Sequence, residues 1–233
     1  MLYRLDRLGK AVTDFFFPQF CIGCGHEGEV ICPACLAKLP RLSPPFCSRC
    51  GLPQTGGQSC RDCAGLDLAI DGIRSPLIFQ KLAREAVHQL KYQNIRVIAT
   101  PLAVVLHDYL MENPIDTDMF VPVPLHPQRL RERGYNQSLL LAHHLGKLCD
   151  IPVRPDILKR HVNTPPQART ASSVERHRNM REAFTSADGK VKDKRVLLID
   201  DVSTSGATLD ACASALKQAG ALRVWGLTVA REI

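Results

Sequence analysis

The sequence predicts an α/β protein in which an open, mostly parallel sheet flanked by helices follows a small cysteine-rich module. Helical and strand periodicities alternate after residue 67, and the end of the chain has the pattern of a strand, a helix and a strand. Eight of the ten cysteines lie between Cys21 and Cys63. We therefore expect an amphipathic helix over residues 1–17, a metal-stabilised module over residues 18–66 and an α/β domain over residues 67–233.

Apolar periodicity predicts the elements of the α/β domain. In chain order they are a helix with Leu82, Ala86 and Leu90 on one face, a helix over 102–110, a strand over 119–123, helices over 136–148 and 172–181, a strand over 195–199, a helix over 207–219 and a strand over 222–229. Gly220 stops the last helix. The last three elements form a βαβ unit, for which parallel pairing with a right-handed crossover is expected.

Composition narrows the class of protein. A chain of 233 residues with 45% hydrophobic content can bury a substantial core. Basic residues near the N-terminus alternate with leucines at helical spacing, so they do not precede the apolar core of a signal peptide. No apolar run reaches the length of a membrane span. We expect a cytoplasmic protein without a membrane span, in which the clustered cysteines bind metal and do not form disulfides.

Residues 196–208 carry the most informative pattern, because an apolar run leads to Asp200 and Asp201 and then to a small, hydroxyl-rich turn. Ligands of open parallel sheets bind beyond the carboxyl ends of the strands. The turn opens a helix, whose free N–H groups and dipole suit a phosphate. The phosphate-binding candidates are Ser203, Thr204, Ser205, Gly206, Ala207 and Thr208. The two carboxylates would bind a ribose diol and help to hold Mg²⁺. The alternative is an ordinary capped turn.

A second candidate segment, residues 121–137, places a basic loop directly after a strand. Its arginines, which include Arg129 and Arg133, suit a diphosphate. The alternative is a solvated basic surface on which Gly134 and Asn136 only cap helices.

The cysteine pattern predicts two structural zinc sites with four thiolate ligands each. The ligands form four Cys-x-x-Cys pairs, namely Cys21 with Cys24, Cys32 with Cys35, Cys47 with Cys50, and Cys60 with Cys63. Gly25 and Gly51 follow the second cysteine of a pair, as the tight turn of a zinc knuckle requires. Sequential pairing of the knuckles is favoured over an interleaved arrangement, which the spacing also permits.

Residues 196–208 resemble the motif that binds phosphoribosyl diphosphate (PRPP) in type I phosphoribosyltransferases. The cysteine-rich front, the segment 121–137 and the later residues 163–179 closely resemble the ComF family of competence and DNA-utilisation proteins. The resemblance implies a double zinc ribbon joined to a type I phosphoribosyltransferase fold. It implies that Asp200 and Asp201 bind the ribose hydroxyls and that 203–208 bind the 5′-phosphate. It also assigns Arg129, Arg133, Asn136 and Gln137 to a motif that follows a strand, and Gln167, Arg176 and Asn179 to a segment that closes over the donor.

These observations lead to one main hypothesis and two alternatives. The main one is a ComF-type phosphoribosyltransferase that binds PRPP with Mg²⁺, has Asp200, Asp201 and Arg133 as its catalytic residues, and engages single-stranded DNA or a DNA-processing partner. A non-catalytic DNA-binding adaptor is the first alternative, since residues 126–181 are rich in lysine and arginine. The second is nucleobase salvage, which would not need a zinc module. The acceptor and the oligomeric state stay open.

Overall fold

The computed structural model describes residues 19–56, 58–162, 183–187 and 189–233. The chain divides into two compact units, Met1–Leu39 and Pro40–Ile233. The predicted helices over 1–17 and 172–181 lie outside the described residues. Within the described part, no helix combines the length and the apolar character that crossing a membrane requires.

The first unit contains a zinc knuckle followed by a short helix, α1 (Pro33–Ala37). Gly25 has a φ of +74°, a conformation that favours glycine, and its N–H donates to the carbonyl oxygen of Cys21 at 2.8 Å. The predicted tight turn after Cys24 is therefore confirmed. Pro33 occupies the first turn of α1, where its missing N–H leaves no helical hydrogen bond unmade.

The second unit contains six helices and seven strands among its described residues. These are α2 (Arg61–Ala64), β1 (Gly72–Arg74), β2 (Leu77–Ile78), α3 (Lys81–Tyr92), α4 (Ala99–Glu112), β3 (Met119–Pro122), α5 (Pro127–Arg133), α6 (Gln137–Cys149), β4 (Leu158–Arg160), β5 (Phe184–Ser186), β6 (Arg195–Ser203), α7 (Ala207–Gln218) and β7 (Arg223–Arg231). A short 3₁₀ helix, Arg96–Ile98, precedes α4.

The predicted open parallel sheet is confirmed. Its strand order is β1-β7-β6-β3, β2 also pairs with β7, and all of these pairings are parallel. The strands β4 and β5 form a separate antiparallel pair. The predicted βαβ unit corresponds to β6, α7 and β7, which meet in parallel register.

Helices cover both faces of the sheet because its strands are apolar on both sides. Val196 and Leu198 of β6 pack with Cys212 and Leu216 of α7 in one buried cluster. Successive side chains of a strand point to opposite faces, so the intervening residues of β6 face α6, which packs against β6 and α4. The predicted face of α3 is shifted slightly, because Ala83, Ala86, Val87 and Leu90 are its buried residues while Leu82 is only partly buried.

Strand β6 is longer than the sequence pattern predicts. It was expected to end at residue 199, yet its pairing with β7 continues to Ser203, which lies opposite Arg231. The pairing of β6 with β7 continues this far because Thr228 and Ala230 of β7 are also buried and extended at this edge of the sheet. As a result, Asp200 and Asp201 lie within the end of the strand, and the turn begins at Thr204.

We predict that Gly72→Ala destabilises the second unit. A Cβ atom at Gly72 would lie 2.4 Å from the Trp225 ring, so the indole must shift, at about 1–3 kcal/mol in the free energy of unfolding. Denaturant unfolding followed by circular dichroism measures this loss. Gly65→Ala is the matched control, because no atom of the part of the chain that the structure describes lies within 4 Å of a Cβ at Gly65. In Trp225→Leu the penalty of Gly72→Ala should largely disappear; an equal penalty in both backgrounds would contradict the explanation.

Candidate functional site

The turn between β6 and α7 forms a group of backbone donors at the carboxyl edge of the sheet. We call residues 204–209 the phosphate cradle. Gly206, with a φ of +82°, starts α7. Within the described part of the chain, the backbone N–H groups of Ser205, Gly206, Thr208 and Leu209 have no protein acceptor, whereas the Ala207 N–H donates to Ser205 Oγ at 3.4 Å. Free N–H groups at the start of a helix can bind an anion.

Not every residue predicted to bind the phosphate faces the cradle. Thr204 is exposed, and Ser205 and Thr208 are partly exposed. Ser203 is instead buried, and its Oγ accepts a hydrogen bond at 2.9 Å from a guanidinium N–H of Arg231, which is also buried. The structure therefore gives Ser203 a contact beneath the cradle, at the last residue of β6.

Asp200 is held inside the protein by two donors. Its Oδ1 accepts from Ser138 Oγ at 2.7 Å and from the Asp201 N–H at 2.9 Å. Burial and the neighbouring carboxylate of Asp201 raise the pKa of Asp200 to about 7, although Lys91 and the two hydrogen bonds act in the opposite direction. Asp200 thus titrates near neutral pH, which is a frequent property of functional sites.

Asp201 forms an ion pair that the sequence analysis did not predict. Lys91 Nζ, near the end of α3, lies 2.8 Å from Asp201 Oδ1. Burial opposes the charge on Lys91, but the carboxylate of Asp201 outweighs it and raises the pKa of Lys91. The second oxygen, Asp201 Oδ2, is buried and has no hydrogen-bond partner among the described residues. A buried carboxylate oxygen without a donor is costly, and such atoms are common where a ligand completes the site.

The predicted basic segment forms α5 and the turn that follows it. An Arg133 N–H donates to Gln137 Oε1, and the guanidinium lies 5.4 Å from the centre of the Tyr92 ring. Asn136 caps α6: its Oδ1 accepts from the Ser138 N–H at 3.0 Å, and its Nδ2 donates to the Val123 carbonyl at 2.9 Å. Asn136 therefore has the capping role that the sequence analysis kept as the alternative.

An open cavity of about 490 Å³ lies beside these side chains. Its lining residues are Lys91, Tyr92, Asn94, Arg129, Glu132, Arg133 and Tyr135. Three of them are cations and one is an acid, so the cavity favours an anion. Lys91 connects the cavity to Asp201.

Arg160 on β4 is a further basic residue that the sequence analysis missed. Burial and the nearby charge of Arg129 lower its pKa, while Asp200 raises it. The charges of one candidate arginine and one candidate acid therefore act on Arg160. Lys91 belongs to no charge cluster in the sequence, and nothing in the basic segment 126–181 distinguishes Arg160 from its neighbours. Only the folded chain associates the two residues with the site.

The donor atoms at this edge suit a phosphorylated sugar with Mg²⁺. Magnesium prefers oxygen ligands and keeps several waters, and Asp201 Oδ2 is a buried oxygen without a donor. Asp201, with Asp200 beside it, would hold the ion, and the free N–H groups of the cradle suit a phosphate monoester. Gln167, Arg176 and Asn179 lie outside the described residues.

The eight predicted zinc ligands form two sequential clusters. Cys21, Cys24, Cys32 and Cys35 bring their Sγ atoms within 4.8 Å of one another, and so do Cys47, Cys50, Cys60 and Cys63. We call these the first and the second zinc centre. The sequential pairing predicted from the spacing is confirmed, and the interleaved arrangement is not found.

The geometry of both centres fits tetrahedral zinc. A tetrahedron with Zn–S bonds of about 2.3 Å has S–S edges of about 3.8 Å, and the distances Cys24–Cys32 and Cys50–Cys60 are both 3.7 Å between Sγ atoms. Backbone N–H groups point at the sulfurs, as in the 3.3 Å contact from Cys60 N to Cys47 Sγ. Hydrogen bonds of this kind stabilise thiolates, the form that binds the metal.

Comparison with known proteins agrees with both parts of the chain. Residues 12–64 match the double zinc ribbon domain, and residues 136–231 match the phosphoribosyl transferase domain. Competence protein F of Haemophilus influenzae is 31% identical over 226 residues, covering 91% of this chain and 97% of that protein. Competence protein ComFC of Bacillus subtilis is 27% identical, covering 82% and 80%. The DNA utilization protein YhgH of Escherichia coli K12 is 29% identical, covering 88% and 92%.

The long match to competence protein F and the two domain matches agree with the clustered cysteines and the parallel sheet described above. The chain therefore belongs to the ComF family, with a double zinc ribbon followed by a domain of the type I phosphoribosyltransferase fold.

Proposed function

We propose that this protein binds PRPP together with Mg²⁺ at the carboxyl edge of its sheet, and that it does so in the utilisation of DNA. The observation that carries the proposal is the buried, unpartnered Asp201 Oδ2 beside the free N–H groups of the cradle. The names of the relatives, competence protein and DNA utilization protein, support the second part. We place the protein in the cytoplasm, as the sequence suggests.

Different described residues would bind different groups of the ligand, according to their charge. The cradle would bind the 5′-phosphate through backbone N–H groups, and Asp200 and Asp201 would accept hydrogen bonds from the ribose hydroxyls. The cations of the cavity, which include Lys91 and Arg133, would face the diphosphate. Lys91 would then exchange its contact with Asp201 for a contact with the ligand.

The same arrangement supports transfer of the phosphoribosyl group to an acceptor. In such a transfer the bond between the anomeric carbon and the diphosphate breaks, the ribose ring gains positive charge, and the acceptor forms the new bond. Bound Mg²⁺ supplies charge that stabilises the leaving diphosphate. Arg129 and Arg133 would add to that stabilisation, and no nucleophilic side chain is needed. The chemical nature of the acceptor is left open by this assignment.

The first test is PRPP binding by Asp201→Asn. Isothermal titration calorimetry should show Mg²⁺-dependent binding by the wild-type protein and binding weakened about tenfold or more by the variant, because the amide cannot replace a carboxylate at the ion. Asp193→Asn is the matched control: Asp193 is exposed, lies before β6, and has a φ of +59° that asparagine tolerates. Equal affinities for wild type and Asp201→Asn would remove Asp201 from the site.

The second test uses the raised pKa of Asp200. A carboxyl group with a pKa of about 7 when folded and 3.8 when unfolded binds more protons in the folded state, so its contribution to stability falls as pH rises between these values. This loss amounts to about 4 kcal/mol at most. Asp200→Asn does not titrate, so we expect its unfolding free energy, relative to wild type, to rise from pH 5 to pH 8.

Urea denaturation in Mg²⁺-free buffer at the two pH values measures this difference. A difference that is independent of pH would contradict a raised pKa. If Asp200 is retained for ligand binding, the variant should also bind PRPP more weakly than wild type while being the more stable protein at pH 8.

The third test concerns single-stranded DNA. Arg131 on α5 is exposed and does not line the cavity, so it represents a basic surface separate from the PRPP site. If this surface follows a DNA backbone, affinity should fall steeply with salt, and Arg131→Gln should reduce the slope of log K against log salt by about 0.7–1. Arg223→Gln, an exposed change at the start of β7, is the control. Absence of binding at low salt would rule out this surface as a DNA site.

A further inference from the structure

The second zinc centre is connected through its knuckle to the strand β1. The Ile73 N–H donates to the carbonyl oxygen of Arg49, between Cys47 and Cys50, at 2.6 Å. A Cβ atom at Gly51, which has a φ of +72°, would lie 2.5 Å from the carbonyl oxygen of Ile73. The knuckle backbone therefore packs directly on the backbone of Ile73, which also pairs with Gly226 of β7.

Ile73 in turn supports the phosphate cradle. Its side chain is 2% exposed, and its Cδ1 would lie 2.8 Å from a Cβ atom at Gly206. Gly206 is the residue at which α7 begins and at which a free N–H group of the cradle lies. A shift of the knuckle would therefore reach the cradle through a single side chain.

We propose that the second zinc centre positions the phosphate cradle through Ile73, so that zinc retention at Cys47, Cys50, Cys60 and Cys63 is coupled to ligand binding. The choice of PRPP as the ligand rests on the function proposed above. We assign no such role to the first zinc centre. Ile73 is a positioning residue, because it acts on the cradle without contacting the ligand.

Coupling between two sites is reciprocal, and this gives a direct test with the folded protein. If zinc at the second centre favours PRPP binding, PRPP must favour zinc retention at that centre. At equilibrium, transfer of zinc to a zinc-selective chelator should therefore be at least threefold less favourable in saturating PRPP and Mg²⁺ for one of the two ions, and unchanged for the other.

Two cysteine variants assign the ions. Cys24→Ser disrupts the first centre and Cys60→Ser the second. The zinc that remains in Cys24→Ser should be protected by PRPP, and the zinc that remains in Cys60→Ser should not. PRPP affinity should be near that of wild type in Cys24→Ser and at least tenfold weaker in Cys60→Ser. Protection of both ions, or of neither, in a wild-type protein that binds PRPP would overturn the proposal.

A substitution at the positioning residue keeps the test valid if Cys60→Ser does not fold. Ile73→Ala should retain two zinc ions yet bind PRPP at least fivefold more weakly, and the conservative variant Ile73→Val should restore most of the affinity. Wild-type affinity in Ile73→Ala would contradict the connection.

A ligand-free measurement separates this inference from the proposed function. Amide hydrogen exchange at residues 210–213, whose N–H groups make the first backbone hydrogen bonds of α7, should be faster in Ile73→Ala than in wild type, while exchange in α6 is unchanged. If wild type does not bind PRPP, the proposed function fails, and the exchange result alone decides whether Ile73, in contact with the knuckle of the second centre, positions the cradle. Unchanged exchange at residues 210–213 would then sink the coupling.

Discussion

The candidate site depends on the parallel pairing of β6 with β7 up to the last residue of β6. This pairing continues to Ser203 opposite Arg231, four residues beyond the end of the purely apolar run. It carries Asp200 and Asp201 into the buried edge of the sheet and directs them to different partners, Ser138 and Lys91. The turn can then begin only at Thr204, and most backbone N–H groups at the start of α7 have no acceptor among the described residues. The positions of the cradle and of the two acids thus both result from the hydrogen bonds between β6 and β7.

In this arrangement, the negative charge of the buried acids is only partly compensated by the protein. Two adjacent carboxylates are buried, and Lys91 is the cation that pairs with Asp201. Two features reflect this burial. The pKa of Asp200 is raised to about 7, and Asp201 Oδ2 has no hydrogen-bond donor among the described residues. Neither feature stabilises the fold. A ligand that brings a metal ion and sugar hydroxyls would compensate both carboxylates. The unfavourable burial of these acids and the proposed function therefore have the same origin.

Local patterns in the sequence were sufficient for the central elements of the α/β domain, the sheet class and the zinc ligands, but they missed β1, β2, β4, β5 and α5. Each predicted feature is encoded within a few residues, as by the four Cys-x-x-Cys pairs or the apolar run of β6. The details of the site were not predicted, because they depend on partners far apart in the chain. Lys91 meets Asp201 although the two are 110 positions apart in the chain, and Asp200 raises the pKa of Arg160, which lies on β4. Asn136 was ambiguous for the same reason, since a cap and a ligand-binding amide have one sequence signature.

The two zinc centres show how far a sequence motif determines a role. Both have four cysteines in two knuckles with a glycine in the left-handed conformation after the second cysteine. In the second centre, the knuckle glycine packs on Ile73 and the neighbouring Arg49 carbonyl accepts the Ile73 N–H, so the knuckle and the cradle pack against the same residue. In the first centre, no atom of the described residues lies within 4 Å of a Cβ atom at Gly25. Identical ligand sets therefore have different surroundings, and these surroundings, which the spacing does not encode, are the basis of the different roles that we propose.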